Sequence, residues 1–158
     1  SDNEGLNFSF VPMVTAPPEV NTLDQAEPPL SVEAEAKQAY RESYQLVKER
    51  EFERAQASLA SFIKRYPNSS YIPNAYFWLG ELQYLAMELP LSRDSFLSLI
   101  EQYPQHKKVA DAKFKLGKVY HQLGQSDKAR NTLESVLSDH AKSTAANPAR
   151  EYLNSNFR

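Results

Sequence analysis

Tyr66-Pro67 recurs 37 residues later as Tyr103-Pro104. The same offset aligns Ser43, Gly80 and Gly117, then Ala55, Ser92 and Ala129. It also aligns Leu59, Phe96 and Leu133, then Phe62, Leu99 and Val136. One further step lands on His140-Ala141, where Tyr-Pro would stand. Columns that keep one spacing and one residue character mark an internal repeat. A repeat constrains the fold strongly, because each unit must bury its apolar face on its neighbour. Positions 59 and 62, 96 and 99, and 133 and 136 are i, i+3 pairs, so each pair shares one helix face. The small residues at 43, 80 and 117, and at 55, 92 and 129, let two helices approach closely. Pro67 and Pro104 end the second helix of a pair and turn the chain onward.

The expected helices are 32–49 with 51–65, 73–87 with 90–102, and 109–123 with 126–139. A terminal helix is expected over 148–155. Ser31 is the expected cap of the first helix, with Glu33 and Glu35 in its first turn. Gly124 stands where a helix would end. Asn147 is the expected cap of the last helix, with Pro148 in its first turn. Phe62, Leu79, Phe96, Leu99, Leu116 and Leu133 are the expected core. The fold class is all-α: three helical hairpins and a C-terminal capping helix, preceded by an extended N-terminal tail.

Small residue, alanine twelve later, leucine or aromatic four after that, and proline eight further on: this spacing resembles the tetratricopeptide repeat. Gly80, Ser92, Phe96 and Pro104 meet it, as do Ser43, Ala55, Leu59 and Pro67. Gly117, Ala129 and Leu133 fit, with Ala141 in place of proline. The period of 37 exceeds the usual spacing of about 34, so longer turns between hairpins are expected. The resemblance implies a superhelix whose concave face is made by the first helices, with repeats at about 36–72, 73–109 and 110–146 and a capping helix over 147–156. The repeat domain is read as 31–158 and the tail as 1–30.

A closer resemblance runs through Ala39-Tyr40, Tyr44 to Lys48, Tyr66-Pro67-Asn68-Ser69 and Tyr71 to Glu81, then Tyr103-Pro104, Asp111-Ala112, Lys115-Leu116-Gly117 and Leu123-Gly124. Residues 35–146 are similar to the C-terminal domain of the CpoB family, also called YbgF. That resemblance implies a non-enzymatic periplasmic adaptor of the Tol-Pal system. It implies binding to TolA, and coordination of septal peptidoglycan synthesis with outer-membrane constriction during cell division. A peptidoglycan synthase is a further implied partner. The family carries a signal peptide and a trimerising coiled coil ahead of a proline-rich linker. A homo-oligomer formed through such a coiled coil, absent from this chain, is therefore an expectation. Two other readings stand beside it: a BamD-like outer-membrane assembly lipoprotein, and the targeting domain of a cell-wall enzyme.

Composition removes most chemistry. With 18 basic and 20 acidic residues the net charge is −2. That gives no field to draw in nucleic acid or an anionic membrane. There is no cysteine, hence no disulfide frame, thiol nucleophile or thiolate metal site. The three histidines, His106, His121 and His140, lack the spacing of a helical metal pair. The four glycines form no phosphate loop. Glu33, Glu35, Glu49, Glu51 and Glu53 read as a solvated face. Asn68-Ser69-Ser70 matches a glycosylation triplet that a turn explains equally well. No enzyme activity, cofactor or metal is expected.

The first helices carry the candidate partner-binding residues. Tyr40, Phe77 and Phe114 form one row at the repeat spacing, Tyr44, Glu81 and Lys118 a second, and Val47, Tyr84 and His121 a third. Either the aromatic row packs between neighbouring first helices, or it lines a groove for an extended peptide. Lys37, Arg41, Lys115 and Lys118 would then hold the peptide's polar groups. Trp78 is core or groove rim. In the tail, five prolines (Pro12, Pro17, Pro18, Pro28 and Pro29) argue for an extended linker. Within it Leu6, Phe8 and Phe10 alternate with polar residues. This is either residual hydrophobicity or a segment that docks in extended form.

Overall fold

Two helices can lie close only where side chains leave room, and the repeat supplies that room at one register. The computed structural model describes residues 30–158. The proline-rich tail and its alternating run lie outside the described residues. From Leu30 on, the chain forms α1 (Val32–Lys48), α2 (Phe52–Arg65), α3 (Ile72–Leu85), α4 (Leu89–Gln102), α5 (Val109–Gln122), α6 (Ser126–Asp139) and α7 (Ala146–Asn156), with no strand among the described residues. Each helix packs on its chain neighbours, and α5 also touches α3 and α7. The three hairpins therefore stack in sequence, with α7 as a first helix lacking a partner.

The contact inside each hairpin follows the small-residue column. A Cβ built on Gly80 would sit 2.8 Å from the Phe96 ring, and one on Gly117 would sit 2.5 Å from Leu133 Cγ. In the first hairpin Ser43 occupies this place, beneath Leu59, and its hydroxyl meets that of Ser58 at 2.6 Å. Ser92, in the alanine column, donates to the Gly80 carbonyl at 2.7 Å and so remains satisfied though buried. Phe62, Leu79, Phe96, Leu99, Leu116 and Leu133 are all buried, as the periodicity requires.

Both kinds of turn repeat as faithfully as the helices. Within each hairpin the last turn closes by paired amide bonds. Arg50 donates to Val47 and Glu51 to Leu46, Met87 to Tyr84 and Glu88 to Gln83, Gly124 to His121 and Gln125 to Tyr120. This 5→2 and 6→1 pattern places one residue in the left-handed region. Arg50, Met87 and Gly124 hold φ of 62°, 60° and 76°. Between hairpins a side chain accepts the amide two residues on: Ser69 from Tyr71 at 3.1 Å, His106 Nδ1 from Lys108 at 3.0 Å, Ser143 from Ala145 at 3.1 Å. His106 thus does the work of a serine. Burial, then the charges of Lys107 and Lys108, holds its imidazole below the usual histidine range. His140 likewise takes the helix-ending place of Tyr66 and Tyr103.

Ser31 caps α1, accepting the Ala34 amide at 3.1 Å. Glu33 does more than face solvent. Its Oε1 accepts from the Ser70 hydroxyl at 2.6 Å and from the Ser69 hydroxyl at 3.2 Å, which ties α1 to the α2–α3 turn. These bonds, Ser70's side chain foremost, lower its pKa. Asn147 is not a cap. The helix starts two residues earlier than a cap at 147 would allow, after Ala145, and the Asn147 Oδ1 instead accepts from Arg150 at 2.8 Å. The Ser143 hydroxyl on the Ala145 amide replaces the cap that asparagine was expected to supply.

The two ends of the stack differ from its middle. Ile72, Ala75 and Leu79 on α3, and Val109, Ala112 and Leu116 on α5, face the preceding hairpin and are buried. The matching residues of α1 are Glu35, Gln38 and Glu42, all exposed. On α7 the small-residue column holds Asn154, also exposed.

Gly80→Ala is expected to destabilise the domain by about 1–3 kcal/mol, because the Phe96 ring cannot yield without strain. With Phe96→Val in place, which takes the ring away from position 80, the added cost of Gly80→Ala should fall below about 1 kcal/mol. Urea unfolding of the four chains measures the coupling; simple additivity would mean that the ring is not the obstacle. Met87 is 64% exposed and left-handed. Met87→Gly is therefore expected to stabilise by about 0.5–1 kcal/mol, the left-handed penalty less glycine's entropy, read by the same unfolding.

Candidate functional site

α1, α3 and α5 present the three expected rows, and the rows do not all share one depth. Tyr40 stacks on Tyr71 at 5.0 Å between ring centroids and also meets Phe62 at 5.9 Å. Phe77 is 6% exposed. It packs edge-on to Phe96 at 6.0 Å and lies 4.7 Å beneath the Lys108 ammonium. Tyr71 and Lys108 are one repeat apart, so each covers the aromatic of the hairpin before it. Their counterpart Ala145 is too small to cover Phe114, which meets Tyr152 at 6.3 Å instead. The first row is thus mainly packing between successive hairpins, and Phe77 belongs to the core.

The second and third rows lie higher. Tyr44 stacks on Tyr40 at 6.2 Å and contacts Trp78 at 5.5 Å. Glu81 pairs with Lys115 at 3.2 Å, across α3 and α5. Lys118 sits over two rings, Tyr84 at 5.4 Å and Phe114 at 5.6 Å. Such placement is favourable in proportion to desolvation. The His121 Nδ1 and Tyr152 hydroxyl are 2.6 Å apart, and the His121 ring lies 5.0 Å from Phe157. Tyr44, Glu81, Tyr84, Lys118 and His121 are all half-buried.

Arg41, Trp78, Lys115 and Tyr152 form a fourth row, and its last three members make the contacts between the others. Trp78 bridges Tyr44 and Phe77, Lys115 bridges Glu81 and Phe114, and Tyr152 bridges Phe114 and His121. All four share the repeat spacing, which was the available signal. The result is a strip of aromatic rings and cations across the first helices, in two contact groups. Tyr40, Tyr44, Phe77 and Trp78 lie with Lys48 and Lys108, and Glu81, Tyr84, Phe114 and Tyr152 lie with Lys115, Lys118 and His121.

Electrostatics follow burial. Desolvation, and then the neighbouring Lys115 charge, lowers the pKa of Lys118, with Glu81 opposing. Desolvation and then Glu81 raise that of Tyr84. Asn74, one turn before Phe77 and Trp78 on α3, has a buried Oδ1 with no partner among the described residues. Among the described residues no group of three or more His, Cys, Asp or Glu is placed to hold a metal ion. No described helix is long and apolar enough to cross a membrane. A face of this kind can hold a chain by stacking, charge and amide bonding.

The sequence profile of the YfiO family, described as outer membrane lipoprotein, matches residues 32–158. The chain is also similar to curated proteins named cell division coordinator CpoB. One from Pseudomonas putida is 39% identical over 49 residues, which is 31% of this chain and 18% of that protein. One from Escherichia coli K12 is 53% identical over 30 residues, 19% of this chain and 11% of that protein. The matched stretches thus cover less than a fifth of these relatives' length.

Burial, foremost, pushes the Tyr40 hydroxyl from its ordinary 10.0 up to about 12. The folded state therefore holds this proton where the unfolded chain releases it. The resulting stability is complete below pH 10.0 and is lost as pH rises through about 12. Spectrophotometric titration should show one tyrosine ionising last, and Tyr40→Phe should remove that step.

Proposed function

The chain belongs to the YfiO family of outer membrane lipoproteins, and from that premise we propose that its repeat domain is a non-enzymatic adaptor of the bacterial envelope. It holds an extended segment of another protein on the face made by α1, α3 and α5. The observation that carries this reading is the strip of rings and charges on that face: Tyr44 against Trp78, Glu81 paired with Lys115, Lys118 over Tyr84, and His121 bonded to Tyr152. Aromatic anchors with interleaved charge suit capture of a main chain and its alternate side chains.

Within the envelope, the proposed setting is the periplasm and the proposed partner is TolA. The role is then that of a Tol-Pal component coordinating septal peptidoglycan synthesis with outer-membrane constriction, with a peptidoglycan synthase as a further partner. The likeness to cell division coordinators supports this. A second reading, an outer-membrane assembly role, is favoured by the span of the family match over 32–158. The full-length reading frame separates them: a lipid-modified N-terminal cysteine for the second, a cleaved signal and coiled coil for the first.

Tyr84→Ala with Lys118→Ala removes the half-buried middle of the strip and spares buried Phe77. Titrated with TolA fragments, this variant should bind with a loss of about 2 kcal/mol, roughly thirtyfold. Its circular dichroism should remain helical. Unchanged binding would move the site off this face. A wild-type chain that ignores TolA would remove the Tol-Pal reading.

A further inference from the structure

The charge of this chain is divided unevenly. Residues 1–29 hold five acidic side chains, Asp2, Glu4, Glu19, Asp24 and Glu27, and no lysine, arginine or histidine. With 18 basic and 20 acidic residues in all, the remainder carries 18 basic and 15 acidic ones, a net +3. The cations of the repeat domain include Lys108, Lys115 and Lys118 on the first-helix face. Lys118 has no carboxylate at ion-pair distance among the described residues. Opposite charge on two parts of one chain favours their encounter, all the more when the parts are tethered.

The order of residues also matches. The strip holds Tyr44 and Trp78 across α1 and α3, and Lys115 and Lys118 beside Phe114 on α5. The N-terminal segment, read backward from its join to α1, presents Phe10, Phe8 and Leu6 before Glu4 and Asp2. Alternate residues share one side of an extended chain, so Leu6, Phe8 and Phe10 can face one surface together. From Thr15 to Leu30 there are 16 residues, a reach of roughly 50 Å at about 3.3 Å per residue. Four first helices at about 8–10 Å spacing span less than that. Laid with Phe8 and Phe10 against Tyr44 and Trp78, the segment brings Glu4 and Asp2 toward Lys115 and Lys118.

We propose that the segment from Asp2 to Val14 docks on the first-helix strip of its own chain, Phe8 and Phe10 on the rings and Asp2 and Glu4 on the lysines. Its regulatory consequence rests on the adaptor reading, because the segment occupies the surface a partner would use. The contact itself does not depend on that reading. A partner then binds only the open fraction, and releasing the segment raises its apparent affinity in proportion.

Trp78 is the single tryptophan of the chain and lies within the strip, so its fluorescence reports the contact without any partner. Acrylamide quenching is compared between the full chain and its Phe8→Ser, Phe10→Ser variant. If the segment covers the strip in most molecules, quenching rises at least about twofold in the variant. Asp2→Lys with Glu4→Lys should give part of that rise, and added salt should do the same to the unaltered chain. Equal quenching in all chains would overturn the proposal. A protection that disappears on dilution would assign the segment to a second copy and overturn docking on its own chain. Either failure leaves the TolA titration untouched, and loss of TolA binding leaves this contact standing.

Discussion

At Gly80 and Gly117 the first helix of a hairpin presents bare backbone to the side chain of the second. Phe96 and Leu133 fill those places so closely that even a methyl group would collide. In the first hairpin Ser43 and Leu59 meet the same demand, with a serine hydroxyl turned aside to Ser58. This contact fixes the rotation of each helix about its axis. Once the rotation is fixed, Leu79 and Leu116 point to the preceding hairpin and Phe77 to its own core. The remaining faces of α1, α3 and α5 are then held parallel in function, one row above another, and the strip is a consequence of that register.

The turns preserve the register from one hairpin to the next by backbone bonding. Each hairpin closes through the same left-handed residue, and each link between hairpins through the same side-chain-to-amide bond. Residue identity is looser than geometry here. Arginine and methionine accept a conformation that glycine would take more easily, and a histidine stands in for serine. The stack can tolerate this because burial at the hairpin contact outweighs a turn penalty of about 1–2 kcal/mol.

The helices were legible because the close contact demands small residues at a fixed spacing, and spacing survives when residue type drifts. The same drift hid part of the site. Arg41 and Lys115 are candidates for their charge and Trp78 as core or rim, but cation and ring alternate along Arg41, Trp78, Lys115 and Tyr152, so their common register does not show as a column of like residues. Tyr40, Phe77 and Phe114 look equivalent in sequence yet differ in depth. The residue 31 positions later is tyrosine, lysine or alanine; the first two cover the ring, the alanine leaves Phe114 to Tyr152, and that pairing lies outside the repeat period. Asn147 misled for a related reason: the link between hairpins supplies its own cap from Ser143, so the helix needs none from asparagine.

The ends of the stack set the length of the binding face. Another hairpin of this kind placed before α1 would have to cover Glu35, Gln38 and Glu42, where α3 and α5 offer isoleucine, valine, alanine and leucine. Burying two unpaired carboxylates is prohibitive. On α7 the small-residue column holds Asn154, larger than Ser43, Gly80 or Gly117. Glu151, Ser155 and Arg158 follow Phe114, Lys118 and His121 at the repeat distance, so those rows change character along the stack. An extended ligand held there, as proposed, would meet Tyr44 and Trp78 in one part of the face and Lys115 and Lys118 beside Phe114 and Tyr152 in another, so its direction would matter.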